Sequence, residues 1–110
     1  MNHAIVHVDI DLNVSIEDWL SYCEANVEHM LRVPGLEWKV WLASPDGQGV
    51  GGIYLFSDAS AARAYVDGPI LAALRAAPTI KAVRVRQFAV ADRLSERTGG
   101  IRGGADARAV

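Results

Sequence analysis

The residues with chemical potential in this 110-residue chain are few: three histidines, one cysteine, a glycine run and a set of arginines. His3 and His7 share one face of an alternating segment but stand four residues apart, roughly 13 Å along a strand. That is too far to hold one metal ion. His29 lies on a helical stretch between Glu28 and Arg32, where exposure is expected. No three-ligand constellation is visible, so no metal site is expected. His7 fits two roles: a histidine packed in an interface, or a base and hydrogen-bond donor in a pocket. Asp9 and Asp11 point to the same side as His7, near a strand end where they are expected to be solvated, which gives paired-carboxylate catalysis weak support. Cys23 is alone, which excludes an internal disulfide and a multi-cysteine metal site. It falls on the apolar stripe of a helix, as a small buried hydrophobe does. No Ser-His-Asp order or nucleophile elbow stands out.

The run Gly47-Gln48-Gly49-Val50-Gly51-Gly52 matches G-x-G-x-x-G. It sits between two strand patterns, with no helix N-terminus after it to receive a pyrophosphate and no acidic residue about 20 positions on. The glycines are better read as serving a loop, with Gly51-Gly52 permitting a bulge or a close backbone approach. Trp38, Trp41, Tyr54 and Phe56 concentrate on one hairpin. Core and interface packing account for most of them, but a small-molecule pocket is also apolar and aromatic with a few polar groups. Tyr54, Arg84, Arg86, His7 and Lys39 are the candidates for those groups. The later arginines, Arg84 through Arg108, read as a solvated or pocket-lining edge rather than a phosphate track.

The elements that must position these groups follow from periodicity. Residues 4–12 alternate, with Ala4, Val6, Val8, Ile10 and Leu12 on one face and Ile5, His7, Asp9 and Asp11 on the other, a half-buried strand. Ser15 caps a helix over 16–31, with Glu17 and Asp18 in its first turn and Pro34-Gly35 closing it. Residues 36–43 form a second strand, with Trp38, Val40 and Leu42 opposite Glu37, Lys39 and Trp41. Ser44-Pro45-Asp46-Gly47 turns the chain into a third strand over 51–56. Ser57 or Asp58 caps the next helix, which is punctuated at Gly68-Pro69 and resumes over 70–76. Residues 80–90 alternate again as a fourth strand.

The order β-α-β-β-α-β predicts an α+β, ferredoxin-like domain: a four-stranded antiparallel sheet with both helices on one face. Large apolar groups sit on both faces of the strands, so the open face is expected to pack against a second copy as a homodimer. Residues 1–98 make the domain. Residues 99–110 are expected to be a flexible C-terminal tail, and from residue 91 the composition suits either a tail or an arm that docks on a partner.

At 51% hydrophobic and 22% charged residues the chain is globular, with room for one core. A net charge of −2 carries no nucleic-acid footprint. No apolar run approaches the roughly 20 residues that span a bilayer, and no leader pattern is visible, so a cytoplasmic protein without membrane or nucleic-acid partners is expected.

The segments Pro34-Gly-Leu-Glu-Trp-Lys-Val-Trp41, Gly51-Gly-Ile-Tyr-Leu-Phe-Ser-Asp58 and Ala61-Ala-Arg-Ala-Tyr65 resemble the YdhR family of mono-oxygenases, over residues 4–98. The resemblance implies a dimeric α/β barrel and an oxygenase acting with O₂ on a small aromatic or acidic carbon substrate, with no cofactor. No family residue roles are carried over. From residue type and strand position, His7 is assigned as base and Arg84 as the anion-stabilising group. Trp38, Trp41, Tyr54 and Phe88 are the expected pocket walls. The alternatives are a non-catalytic small-ligand binder or accessory dimer, and a haem-binding protein with His7 or His29 as axial ligand.

Overall fold

The structure is a computed structural model that describes residues 2–102. Nine elements follow in order: β1 (Ala4–Leu12), α1 (Ile16–Ala25), α2 (Val27–Leu31), β2 (Leu36–Ala43), β3 (Gly49–Phe56), α3 (Ala59–Val66), α4 (Pro69–Ala76), β4 (Ile80–Ala89) and α5 (Asp92–Arg97). The strands form one antiparallel sheet in the order β2-β3-β1-β4, the ferredoxin-like arrangement that the alternation predicts.

Period-two patterning decides which side of the sheet each residue takes. Val6, Val8 and Ile10 of β1, Val50, Tyr54 and Phe56 of β3, and Ile80 at the start of β4 are buried under the helices. Trp19 and Cys23 of α1, Ala62 and Tyr65 of α3, and Leu71 of α4 complete that core. Asp58 is the cap of α3, its carboxylate accepting from the Ala61 N–H at 2.8 Å, and Ser15 caps α1 through the Asp18 N–H.

Four details depart from the sequence reading. The single helix expected over 16–31 breaks at Asn26, whose backbone leaves the helical region (φ −115°, ψ 8°) and whose side-chain amide donates to the Tyr22 carbonyl at 2.8 Å. The third strand starts at Gly49 rather than Gly51. A bulge at Glu37 puts Leu36 opposite Phe56, on the helix side, while Trp38 pairs with Leu55 on the open side. Pure alternation would have put Leu36 with Trp38.

The fourth departure lies beyond β4. Asp92–Arg97 is helical, and the chain then turns back so that Ile101, 4% exposed, packs with Leu55, Val90 and Ile5. The Trp38 indole N–H donates to the Gly100 carbonyl at 3.1 Å. The chain is therefore packed through the expected boundary at residue 99; the remainder of that segment, 103–110, lies outside the described residues.

Candidate functional site

The register sorts the candidate residues onto two faces. On the open face, neighbouring strands set Trp38, Leu55, Ile5 and Phe88 in one row. Val40, Ile53, His7 and Arg86 form the next row, and Leu42, Gly51, Asp9 and Arg84 the third. His7 thus stands at the centre of this face, half-buried, between Ile53 and Arg86. Trp41 and Tyr54 project from the other side, toward the helices. The six predicted site residues do not line one pocket within a protomer: His7, Arg84, Trp38 and Phe88 share the open face, and Trp41 and Tyr54 share the covered one.

Arg84 is already occupied. Its Nε donates to Asp9 at 3.0 Å, and Nη1 and Nη2 donate to the two oxygens of Asp11 at 3.2 and 3.0 Å. These bonds hold the Asp11 carboxyl below its usual range and raise the guanidinium above its own. Asp9 and Asp11 are solvated as expected, and they are also ion-paired. Two carboxylates on one guanidinium leave no positive charge to spare for a substrate anion.

The covered face carries a different constellation. Lys39 of β2 faces inward, opposite Tyr54, and its Nζ lies 3.4 Å from the Trp41 ring centroid and 4.4 Å from that of Tyr54. Cation–π contacts of this kind are worth about 0.5–2 kcal/mol. Gly52, the neighbour of Trp41 across the ladder, makes the seat: a Cβ there would lie 2.8 Å from the Lys39 Cε and 3.1 Å from the Tyr54 ring. Gly51 serves the other purpose foreseen for this pair, since a Cβ there would overlap the Val8 carbonyl of β1. The G-x-G-x-x-G run therefore ends in a close backbone approach and a lysine seat. The irregularities of the sheet fall elsewhere, at Leu36/Trp38 and Asp11/Leu12.

Around the amine, the Tyr65 hydroxyl donates to the Tyr54 hydroxyl at 3.2 Å, and the Tyr54 and Tyr65 rings lie 5.0 Å apart. Burial raises both phenols well above their ordinary value, so both remain neutral. Burial also raises the Cys23 thiol, which keeps it a poor nucleophile. The same loss of water pushes Lys39 down to about 8. Among the described residues no carboxylate comes within ion-pair distance of it.

Lys39 opens into a cleft of about 120 Å³ between α2 and β2, lined also by Met30, Leu36, Glu37, Trp38 and Trp41, so that two of the expected pocket walls, Trp38 and Trp41, border it. The sequence reading named Lys39 among possible pocket groups but did not single it out, and it missed Tyr65 and Gly52. The available signal was a lysine in register with inward-facing positions of the hairpin. No group of three or more His, Cys, Asp or Glu side chains suited to a metal ion occurs among the described residues.

The family model described as "Putative mono-oxygenase ydhR" matches residues 5–101. The chain belongs to this family. The match takes in α5 and Ile101, a few residues more than the motif resemblance reached. No curated protein matches the chain. Among solved structures, the fold is similar to that of NE2512, a protein of unknown function from Nitrosomonas europaea. That likeness has a TM-score of 0.69 at 16% identity and covers 83% of this chain and 91% of that one. SnoaB, a cofactor-independent oxygenase from Streptomyces nogalater, is similar with a TM-score of 0.65 at 17% identity, over 82% of this chain and 94% of that one. The ActVA-Orf6 monooxygenase of Streptomyces coelicolor, in complex with Nanaomycin D, is similar with a TM-score of 0.63 at 17% identity, over 81% and 88%. At these identities the likeness is one of fold.

Proposed function

We propose that this member of the ydhR family is a cofactor-free mono-oxygenase of a small carbon acid, with Lys39 as its base, and that it works as a homodimer. The observation that carries this reading is a half-buried amine without a carboxylate ion-pair partner among the described residues, seated against the Trp41 and Tyr54 rings at the side of a cleft. A base is most effective when its pKa lies near the working pH, and loss of water brings Lys39 there. The description of SnoaB as a cofactor-independent oxygenase supports the same chemistry on this scaffold.

In this mechanism the neutral Lys39 amine takes a proton from a substrate CH₂ group. The carbanion supplies the electrons to O₂ and the resulting peroxide loses water: R₂CH₂ + O₂ gives R₂C=O + H₂O. One oxygen atom stays in the product and the other leaves as water. Trp41 borders the cleft and presents a flat apolar surface to an aromatic substrate, while Tyr54 and Tyr65 are buried and back the Lys39 seat. The free thiol Cys23 suits a reducing, cytoplasmic setting.

A second site has its own support. His7 lies in the middle of the open face between Ile53 and Arg86, with Phe88 and Trp38 on the same face, and a second subunit packed there would enclose it. Arg84 contributes little to it while Asp9 and Asp11 hold it.

Oxygen consumption by the metal-stripped protein with hydroquinones, anthrones and other easily deprotonated aromatics tests both. Lys39→Met is expected to lower protein-dependent uptake by roughly 100-fold or more, the usual yield of general-base catalysis, with His7→Ala near wild type. Loss in His7→Ala with full activity in Lys39→Met would move the reaction to the open face. Absence of uptake across the panel would favour a ligand-binding dimer instead.

A further inference from the structure

The chain has two lysines, and the fold treats them differently. Lys81 is exposed at the start of β4. Lys39 passes over Gly52 and ends against Trp41 and Tyr54, at the side of the α2–β2 cleft. The groups that face it are Cys23 from α1, Tyr54 from β3 with Tyr65 of α3 behind it, and Glu37 from its own strand at the cleft. Cys23, Tyr54 and Tyr65 are kept neutral by burial, so the helices and β3 present no anion to hold an ammonium ion. Glu37 is turned to His3, at 3.3 Å. An amine so placed gives up its proton more readily than an exposed lysine, and the freed lone pair at the side of the cleft can attack a carbonyl carbon.

We propose that Lys39 is a carbonyl-condensing amine, forming a reversible imine with small aldehydes and ketones that enter the α2–β2 cleft. The Nζ lone pair forms the C–N bond, the carbonyl π bond opens, and the two amine protons leave with the carbonyl oxygen as water. No electrons are exchanged with any third species. The cleft, of about 120 Å³, is open to solvent on one side, so a carbonyl carried on a ring or a short chain reaches Nζ from its mouth. This activity goes beyond mono-oxygenation and needs no O₂, so either reading can fail while the other stands.

The test is reductive trapping of the intact wild-type protein with benzaldehyde and sodium cyanoborohydride under nitrogen, read by peptide mapping across pH 6–10. Lys81 is the internal control, and the amino terminus is mapped separately. At pH 8 an amine titrating near 8 has about 100-fold more neutral form than an ordinary lysine. Allowing for restricted access, labelling of Lys39 at least roughly tenfold above Lys81 is expected, with a midpoint near pH 8. In urea the two lysines are expected to label alike. Gly52→Ala is expected to erase most of the preference, because its methyl group pushes the flexible lysine off its seat rather than breaking the backbone. Equal or faster labelling of Lys81 in the native protein would overturn the proposal. So would a preference for Lys39 that survives urea or the Gly52→Ala change.

Discussion

A lysine at the position of Lys39 works against the fold that holds it. Removing its ammonium from water costs free energy, and the contact with Trp41 and Tyr54 returns part of it. The fall from the usual 10.5 to about 8 fixes the sign of the pH dependence. Between those values the unfolded chain carries the proton and the folded chain does not. Stability therefore rises with pH through that window, and the full cost is borne below about pH 8. At full burial such a fall corresponds to roughly 3 kcal/mol; the residue is half-buried, so about 1–2 kcal/mol is a fairer figure. Lys39→Met is accordingly expected to be more stable than wild type by about 1–2 kcal/mol at pH 7, with the advantage fading toward pH 10. Urea midpoints of the two proteins at pH 7 and pH 10 would measure it. A variant less stable at pH 7 would mean that the ring contacts outweigh the desolvation. The Arg84 cluster makes the contrast: it is solvent-exposed, and exposed ion pairs contribute little to stability.

At the scale of elements, the strands and caps are local features and the sequence shows them as such. Alternation over 4–12 and 82–89 places each residue on its observed face, whereas the irregularity opposite Asp11/Leu12 turns Ile80 to the helix side; the Ser15 and Asp58 caps stand where their side chains meet the third N–H of the next helix. The bulge at Glu37 and the break at Asn26 have no comparable pattern, because each depends on what the neighbouring strand or turn requires. The site was half legible for a related reason. Periodicity separates Trp38 from Trp41, but that Lys39 faces two rings rather than solvent depends on a glycine one strand away. The segment after β4 was the least legible. Its composition is polar and glycine-rich, and a single isoleucine, Ile101, decides its course by covering Leu55. Ile101→Ala is therefore expected to cost roughly 2 kcal/mol, at the low end for a buried aliphatic side chain because the segment adjoins an open face. It should also unfasten the Trp38 indole from the Gly100 carbonyl, visible as a red shift of tryptophan emission. A loss below about 0.5 kcal/mol, the level of an ordinary surface change, would show that the segment adds no net stability.

For the whole molecule the open question is what covers the rest of that face. Val90 and Ile101 cover Leu55 from within the chain, while Trp38 and Phe88 of the same row stay 36% and 40% exposed. In the next row Val40 is 50% exposed, with Ile53 and then His7 on the following strands. At the far end Arg84 binds both Asp9 and Asp11, which leaves one net negative charge there, and Arg86 of the same face carries the opposite charge. A two-fold axis near the Val40–Ile53–His7–Arg86 row would bury these apolar side chains against their own counterparts, as an isologous interface requires. The proposed homodimer then has a defined weak point. Val40→Arg sets a cation against its own symmetry mate, where like charges brought together without partners cost several kcal/mol. The expected outcome is a monomer at micromolar concentration by analytical ultracentrifugation, against a dimer for wild type, with the circular dichroism of the subunit unchanged. Lys39 lies on the opposite side of the sheet, so its imine chemistry should persist in that monomer. A wild-type protein already monomeric at the same concentration would remove the dimer, and with it the enclosure that a site at His7 requires.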